Sequence, residues 1–280
     1  MRARELIREA EARLSAAGVP DSRFDAEELL SAAAGKERLL LRIENGEIAP
    51  EDETRFRALL ERRANREPLQ YILGKAYFMG LEILCDSRVL IPRFDTEPMC
   101  RAAAEELKPG ASLLDLCTGS GAIAAAVKTL RPDARVAASD LSRDALAVAR
   151  ENARRCGCEI AFYQGDLFEP FAGMRFDTVI SNPPYIPEGE LPELQEEVKR
   201  EPRLALCGGK DGLDLYRRLI REAPCHLYAD GRLYLETGDG ETEAVTRMLE
   251  EDFCDITVIC DLDSMPRALR GTLKSGRERA

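Results

Sequence analysis

Leu113-Leu114-Asp115-Leu116-Cys117-Thr118-Gly119-Ser120-Gly121-Ala122-Ile123-Ala124 decides how this chain is read. An apolar run of strand length passes through a glycine-rich turn into the small-residue start of a helix. Glycines at 119 and 121 let the backbone turn sharply and approach a ligand with no Cβ in the way. The same grammar continues downstream. Strands are expected at 112–116, 135–139, 158–163, 176–181, 232–236, 255–260 and 267–273, with helices at 121–130, 143–155, 213–223 and 241–251. Such alternation argues an α/β chain with a doubly wound, mostly parallel seven-stranded sheet covered by helices on both faces. The last two strands have no helix between them, which predicts an antiparallel edge hairpin. Residues 277–280 read as a frayed tail.

Upstream the period is helical. Leu6, Ile7, Ala10 and Leu14 share a face until Gly18-Val19-Pro20; a second helix follows Asp21 with Phe24, Leu29 and Leu30 inward; 36–43 is a third; Pro50 opens a fourth carrying Phe56, Leu59 and Leu60. Residues 1–65 thus read as a small helical bundle. Residues 66–98 read as a β-hairpin linker, because Tyr71-Ile72-Leu73, Ala76-Tyr77-Phe78, Leu81-Glu82-Ile83-Leu84 and Val89-Leu90-Ile91 are β-prone and broken by glycine. Its last part, Pro92-Arg93-Phe94-Asp95-Thr96-Glu97-Pro98, is too rich in aromatic and charged groups for a passive tether. Arg93, Thr96 and Glu97 are therefore candidate contacts at the cofactor site. Residues 99–280, opening with a helix at 99–107, form the domain of alternating strands and helices.

Composition narrows the class. With 45% apolar and 32% charged residues, 280 residues describe a soluble globular protein long enough for two domains. The N-terminus has no apolar signal region, and no apolar run approaches a membrane span. Nine scattered cysteines without a C-x-x-C pair, and one histidine, His226, give no zinc-site spacing. Reduced thiols in a cytoplasmic protein, and no metal, are the expectation. Net charge is −11; up to Lys75 there are 14 basic and 15 acidic side chains, and beyond it 26 and 36. An acidic C-terminal part argues against a stable nucleic-acid complex.

Three strand ends carry candidate ligand groups. The second strand ends in Asp140, with Leu141 beside it, placing a carboxylate where both ribose hydroxyls of a nucleoside can be held. A G-x-G-x-x-A with a later acid also fits a dinucleotide fingerprint. Two features separate the alternatives. Asp115, four residues before Gly119, is placed to hold the charged amino end of a methionine moiety. After the third strand, Gln164-Gly165-Asp166-Leu167-Phe168 offers Asp166 for an adenine amino group and Phe168 for the ring, although a turn Asp and a core Phe are the ordinary readings. Together the strand ends favour S-adenosylmethionine, leaving S-adenosylhomocysteine as product, with Cys117, Thr118, Gly119, Ser120 and Gly121 as the loop around it.

The chemistry is expected at Ser181-Asn182-Pro183-Pro184-Tyr185. A proline-stopped strand holds Asn182 and Tyr185 at the sheet's carboxyl edge. An amino group attached to a carbonyl or an aromatic ring has a delocalised lone pair. Two acceptors, the Asn182 side-chain oxygen and the Pro183 carbonyl, would aim that lone pair and stabilise the developing cation. Tyr185 offers a flat face to a planar group. His226 reads as structural.

These residues resemble class I methyltransferases, a Rossmann-like family, that modify planar nitrogens. Within them the chain is similar to the protein-(glutamine-N5) methyltransferases of bacterial peptide chain release factors. The similar stretches are Arg66 to Gly74, Val89-Leu90-Ile91-Pro92-Arg93, Asp95-Thr96-Glu97, Asp115 to Ala124, Ser181 to Pro187, Glu201-Pro202, Gly208 to Asp214 and Leu235-Glu236-Thr237-Gly238. The resemblance implies methylation of the glutamine amide in a release factor's Gly-Gly-Gln loop. It implies cofactor contacts at Cys117 to Gly121, Asp140, Phe168 and Asn182, substrate contacts at Asn182 to Tyr185, and substrate recognition by the helical N-terminus. The chain departs from the pattern at Cys117, a usual glycine, at Phe94, a usual proline, and at Thr237, a common isoleucine. A monomer is expected. The long acidic segment 186–211 is either a solvated loop or a lid ordered by the protein substrate. Rival readings are an N-methyltransferase acting on an amino group of a nucleic-acid base, a nucleotide-binding protein without turnover, and a nicotinamide dehydrogenase.

Overall fold

The computed structural model describes residues 1–261 and 263–275; the tail expected at 277–280 lies outside them. The chain divides into two compact units, Met1–Lys75 with Gln195–Arg200, and Ala76–Leu194 with the residues from Glu201 onward.

The first unit packs α1 (Ala3–Ala16), α2 (Ser22–Ala34), α3 (Arg38–Glu44), α4 (Pro50–Ala64) and α5 (Leu69–Leu73). Leu6, Ile7, Ala10 and Leu14 of α1 meet Leu29, Leu30, Phe56 and Leu60 in its core. Pro50 starts α4, and Glu51, Asp52 and Glu53 fill its first turn, where the helix dipole favours negative charge. Two expectations need correction. Phe24 is 48% exposed; Ala26, Leu29, Leu30 and Ala33 form the inner face of α2, and the Arg38 guanidinium lies 4.6 Å from the Phe24 ring centroid. The boundary expected at 65 moves to Lys75, because residues 69–73 are helical and bury Leu69 and Ile72 in the same core. Five residues are too few to show a helical period against a β-prone composition.

Gln195–Arg200, from the middle of the long acidic segment, is held in this unit by charge. Arg63 Nε donates to Asp25 Oδ2 at 2.6 Å and Arg63 Nη1 pairs with Glu197 at 2.9 Å, while Arg66 donates to both Glu197 oxygens at 2.7 and 2.5 Å. Burial pushes the Glu197 carboxyl up, but Arg66 and Arg63 outweigh it and hold it at about 2.

The second unit opens with a hairpin, β1 (Lys75–Phe78) and β2 (Leu81–Leu84), and continues through α6 (Glu97–Glu106), β3 (Ser112–Leu116), α7 (Ala122–Leu130), β4 (Arg135–Asp140), α8 (Arg143–Arg155), β5 (Ile160–Gln164), β6 (Phe176–Ser181), α9 (Asp214–His226), β7 (Leu227–Glu236), α10 (Thr242–Leu249), β8 (Phe253–Cys260) and β9 (Pro266–Leu273). Val89-Leu90-Ile91, expected as strand, lies outside the sheets. The seven-stranded sheet has the order β5-β4-β3-β6-β7-β9-β8, parallel except for β9, which runs antiparallel to both its neighbours. Side chains alternate between the faces: Leu114 and Leu116 pack with Tyr216, Leu219 and Val245 of α9 and α10, Leu113 with Met99, Ile123 and Val127 of α6 and α7. Each fully buried leucine contributes about 1.5–3 kcal/mol, so a one-residue slip in β3 would be prohibitive.

From β3 the chain builds outward to β4 and β5 on one side, then crosses to β6 on the other. The crevice outside the carboxyl ends of β3 and β6 is the topological switch point, where an open α/β sheet leaves room for ligands.

Candidate active site

Register brings the expected strand ends together. Leu116 pairs with Ser139 on one side and Ser181 on the other, Asp140 pairs with Gln164, and Ser181 with Leu235. Asp166, Asp140, Cys117, Asn182 and Glu236 therefore follow one another along a single sheet edge.

The glycine loop is built from backbone bonds and one carboxylate. Thr118 N donates to the Ser139 carbonyl at 3.0 Å, Gly121 N to the Thr118 carbonyl at 2.8 Å, and Gly119 N to Asp140 Oδ2 at 2.9 Å. Asp140 Oδ1 accepts from Ser142 N at 2.8 Å. Gly121 has φ +77°, and a Cβ there would lie 3.0 Å from Ala149 Cβ, so only glycine lets α7 and α8 approach this closely. Cys117 also has positive φ, +58°, with a side chain. Burial pushes its thiol up to about 12, so it is a neutral lining group and no nucleophile.

Asp140, Leu141, Asp166, Leu167, Asn182 and Pro184 line a cleft of about 200 Å³ together with Cys117 and Gly119. A smaller cavity of about 50 Å³ is bounded by Arg93, Thr96, Thr118 and Ser120, and shares Cys117, Gly119 and Asn182 with the first. Asn182 stands where the two meet.

Six expected residues line neither cavity: Gly121, Pro183, Asp115, Phe168, Glu97 and Tyr185. Asp115 is fully buried; its Oδ2 accepts from Thr118 Oγ1 at 2.5 Å and its Oδ1 has no partner among the described residues. Burial pushes that carboxyl up to about 7. Phe168, expected on a ligand ring, is buried and stacks on His226 with centroids 4.6 Å apart, so the wall position falls to its neighbour Leu167, whose φ is +48°. Glu97 Oε1 accepts from Met79 N at 2.7 Å, tying the hairpin to α6. Tyr185 is half-buried against the core beneath α9. The Gly208 backbone closes over Tyr185, since a Cβ at 208 would lie 2.7 Å from Tyr185 Cα.

The groups fit S-adenosylmethionine. Asp140 offers carboxylate lone pairs beside a cleft with apolar walls from Leu141, Leu167 and Leu215, and an orphaned acid lies under the loop at Asp115. Among the described residues no cluster of His, Cys, Asp or Glu could hold a metal ion, and no helix is long and apolar enough to cross a membrane.

Residues 5–74 match the family model described as PrmC N-terminal domain, and residues 86–199 that described as methyltransferase small domain. A release factor glutamine methyltransferase of Geobacter sulfurreducens is 42% identical over 263 residues, 93% of each chain. Those of Moorella thermoacetica (45% identical, 88% of each chain) and Deinococcus radiodurans (38% identical, 99% of this chain and 100% of that one) agree. This chain belongs to the release factor glutamine methyltransferase family. The crystal structure of a methyltransferase from Pyrococcus furiosus, 20% identical, covers 70% of this chain and 90% of that one with a TM-score of 0.53, which shows the shared fold.

In this chain two supporting residues, Asn152 and Glu201, escaped the sequence reading as site residues, while a third, Thr96, was expected there. Asn152, fully buried in α8, receives the Leu84 N–H at 2.7 Å and donates to the carbonyls of Leu84 and Ser120 at 3.1 and 2.8 Å, pinning the hairpin to the glycine loop. Glu201 accepts from Ile91 N at 2.9 Å and Arg93 Nη2 at 2.5 Å, fixing the end of Val89-Leu90-Ile91. Thr96 accepts from Asn182 Nδ2 at 3.3 Å. Nothing local in the sequence marks Asn152; the acid was visible only as a member of a quoted motif.

Segment 186–211 is more structured than either a solvated loop or a substrate-ordered lid. Ile186 N donates to the Leu206 carbonyl and Gly208 N to the Ile186 carbonyl, both at 2.9 Å, and Glu201 is buried.

Proposed function

We propose that Asn182, Pro183 and Tyr185 are the catalytic group of this enzyme. It transfers a methyl group from S-adenosylmethionine to the side-chain amide nitrogen of the glutamine in the Gly-Gly-Gln motif of peptide chain release factors. The observation that carries the reading is Asn182 at the meeting of two cavities on the carboxyl edge of β6. When bound, S-adenosylmethionine supplies an electrophilic methyl on a sulfonium.

The chain's own residues do the rest. Asp140 binds the ribose hydroxyls, Asp166 an adenine amino group, and Leu141 and Leu167 the ring faces. Asp115, buried beneath the loop, supports it by accepting from Thr118 Oγ1. Arg93 and Thr96 bound the smaller cavity, where the substrate amide enters. Asn182 Oδ1 and the Pro183 carbonyl accept the two amide N–H bonds. That turns the nitrogen lone pair toward the methyl and stabilises the charge that builds on nitrogen. Pro183 and Pro184 carry no N–H, so the turn cannot extend the ladder past Ser181. Tyr185, fixed beneath Gly208, presents its ring to the planar amide. A translation factor as substrate fits a cytoplasmic enzyme.

The test is transfer of tritiated methyl from S-adenosylmethionine to purified release factor, beside the same factor with Gln→Asn in its Gly-Gly-Gln loop and beside total RNA. Label on the wild-type factor alone is expected. Label on RNA, or on the variant factor equally, would overturn the assignment.

A further inference from the structure

The larger cleft has a wall that no strand end supplies. Leu215 and Arg218, three residues apart on α9, both line it. That spacing is nearly one helical turn, so the two share a face. Tyr216, Leu219, Ile220 and Ala223 are buried in the core on the other side of the helix. Packing therefore fixes α9 on the sheet with one cation, the Arg218 guanidinium, turned to the cleft.

At the cleft Arg218 Nη2 donates to Asp166 Oδ2 at 2.9 Å. The backbone of Asp166 is fixed without this bond. Gly165 N donates to the Asp140 carbonyl at 3.2 Å, Glu169 N to the Asp166 carbonyl at 3.0 Å, and Asp166 N to Glu169 Oε2 at 3.4 Å. A Cβ at Gly165 would lie 2.3 Å from Pro170, so the turn is closed on itself. These bonds reach only the backbone groups of Asp166, and its carboxylate has two chemically equivalent oxygens. Arg218 makes them different. With Oδ2 taken by a cation on α9, Oδ1 is the oxygen left to accept from a ligand.

Stability does not account for the pair. Its side chains are 38% and 43% exposed, and an ion pair so exposed adds little to folding. A ligand filling the cleft would exclude water, and a charge-assisted bond strengthens as water leaves.

We infer that Arg218 is a positioning residue for base recognition: by holding Asp166 Oδ2 it turns Oδ1 to the exocyclic amino group of adenine, and so sets a preference for a 6-aminopurine over a 6-oxopurine. An amino N–H donates to Oδ1, whereas a ring carbonyl in the same place sets oxygen against oxygen and leaves the carboxylate unpaired. The inference rests on Asp166 taking the adenine amino group. Arg217, the preceding residue of α9, supplies a control. It donates to Asp211 and Asp214, at 3.0 Å each, and lines neither cavity.

The experiment is calorimetric titration of the full chain with S-adenosylhomocysteine and with its deaminated analogue S-inosylhomocysteine. Both carry no net charge, so the loss of an arginine does not act through the charge of the ligand. The quantity read is the ratio of the two Kd values. Wild type should bind the adenosyl ligand about 10-fold tighter or more. In Arg218→Ala the ratio should fall about fivefold, through weaker binding of the adenosyl ligand alone, with a melting temperature within about 2 °C of wild type. Arg218→Lys should keep most of the preference, since the contact is a single bond from one cation. Arg217→Ala should bind both ligands as wild type does. Asp166→Ala should lose the preference, and adding Arg218→Ala to it should change little, because the arginine acts through the carboxylate. A wild-type ratio in Arg218→Ala, or an equal loss for both ligands, would overturn the proposal. Tighter binding of the adenosyl ligand would overturn it too, by showing that arginine and adenine compete for the carboxylate. If Arg218→Ala does not fold, Arg218→Met, which keeps the stem, is read in the same way. Failure of the base assignment is distinct: wild type would then show no preference, or Asp166→Ala would retain it. Failure of the functional reading is distinct again, since wild type would bind the adenosyl ligand without labelling release factor.

Discussion

At the scale of single residues, Asn182 and Cys117 make opposite predictions. In the proposed mechanism Asn182→Ala removes an acceptor aimed at charge that develops only during transfer, so kcat should fall ~10²-fold or more while the release factor KM changes little; a loss confined to KM would remove it from the catalytic group. Cys117 holds φ +58°, a conformation that disfavours any side chain with a Cβ by about 1–2 kcal/mol. Cys117→Gly should raise the melting temperature by about 2–4 °C. A lower melting temperature would mean that the thiol's packing outweighs the strain it imposes. Both residues were legible because turn chemistry is local: a proline-stopped strand and a strand–glycine–helix junction are recognised within a dozen residues. Phe168 was misread for the same reason. Sequence placed it after the right strand but could not say which of two adjacent side chains, Leu167 or Phe168, would face the cleft and which would stack on His226.

At the scale of elements, the supports of the loop matter more than its own composition. Asn152 satisfies three backbone groups, the N–H and carbonyl of Leu84 and the carbonyl of Ser120. Each buried group left unpaired costs about 1–3 kcal/mol, so Asn152→Ala should lower unfolding stability by about 3 kcal/mol or more. Asn152→Asp keeps an acceptor for Leu84 N–H but turns a carboxylate on two carbonyls, so it should rescue little; chemical denaturation of both variants checks this, and full rescue by Asp would show that only the Leu84 N–H bond counts. Glu197 plays the corresponding role in the first unit. Glu197→Gln leaves Arg66 without its two-oxygen partner and should speed amide hydrogen exchange in Gln195–Arg200, while α1 and α2, which do not touch it by any bond described above, keep their protection. Unchanged exchange there would mean that the segment is held by packing. Most strands and helices of the sheet unit were predicted to within three residues, although β7 begins five residues before the expected 232, since periods of 2 and 3.6 survive in the apolar pattern. α5 and the irregular Val89-Leu90-Ile91 were not, because five helical residues are too short to show a period and three apolar residues held by a distant Glu201 look like a strand.

At the scale of the whole molecule, buried acids set how stability depends on pH. Burial raises Asp115, Glu236 and Glu241 each to about 7. A carboxyl whose folded value is raised favours the folded state fully below its unfolded value near 4, and that contribution is lost as pH rises through about 7. Asp115→Asn is neutral at every pH. Relative to wild type it should therefore gain melting temperature between pH 5 and pH 8, and a difference that is flat or falls over this range would show that a partner for Asp115 Oδ1 offsets its burial. The sign opposes that of paired acids such as Glu197, held at about 2, whose contribution is present at neutral pH and lost only in acid.

By itself the sequence determined the class of fold, the order of strands and helices along the chain, the glycine loop and the tetrapeptide Asn182–Tyr185 proposed to carry the chemistry. Each of these is written in a local pattern of period, turn residue or spacing. What only the tertiary structure decided is which distant groups meet. Asn152 reaches Leu84 across 68 residues, Glu201 reaches Ile91 across 110, and Asn182 reaches Thr96 across 86. Hydrogen bonds between remote segments leave no periodic trace, because one buried polar side chain is enough to make them and its partner can stand anywhere that the sheet order brings alongside.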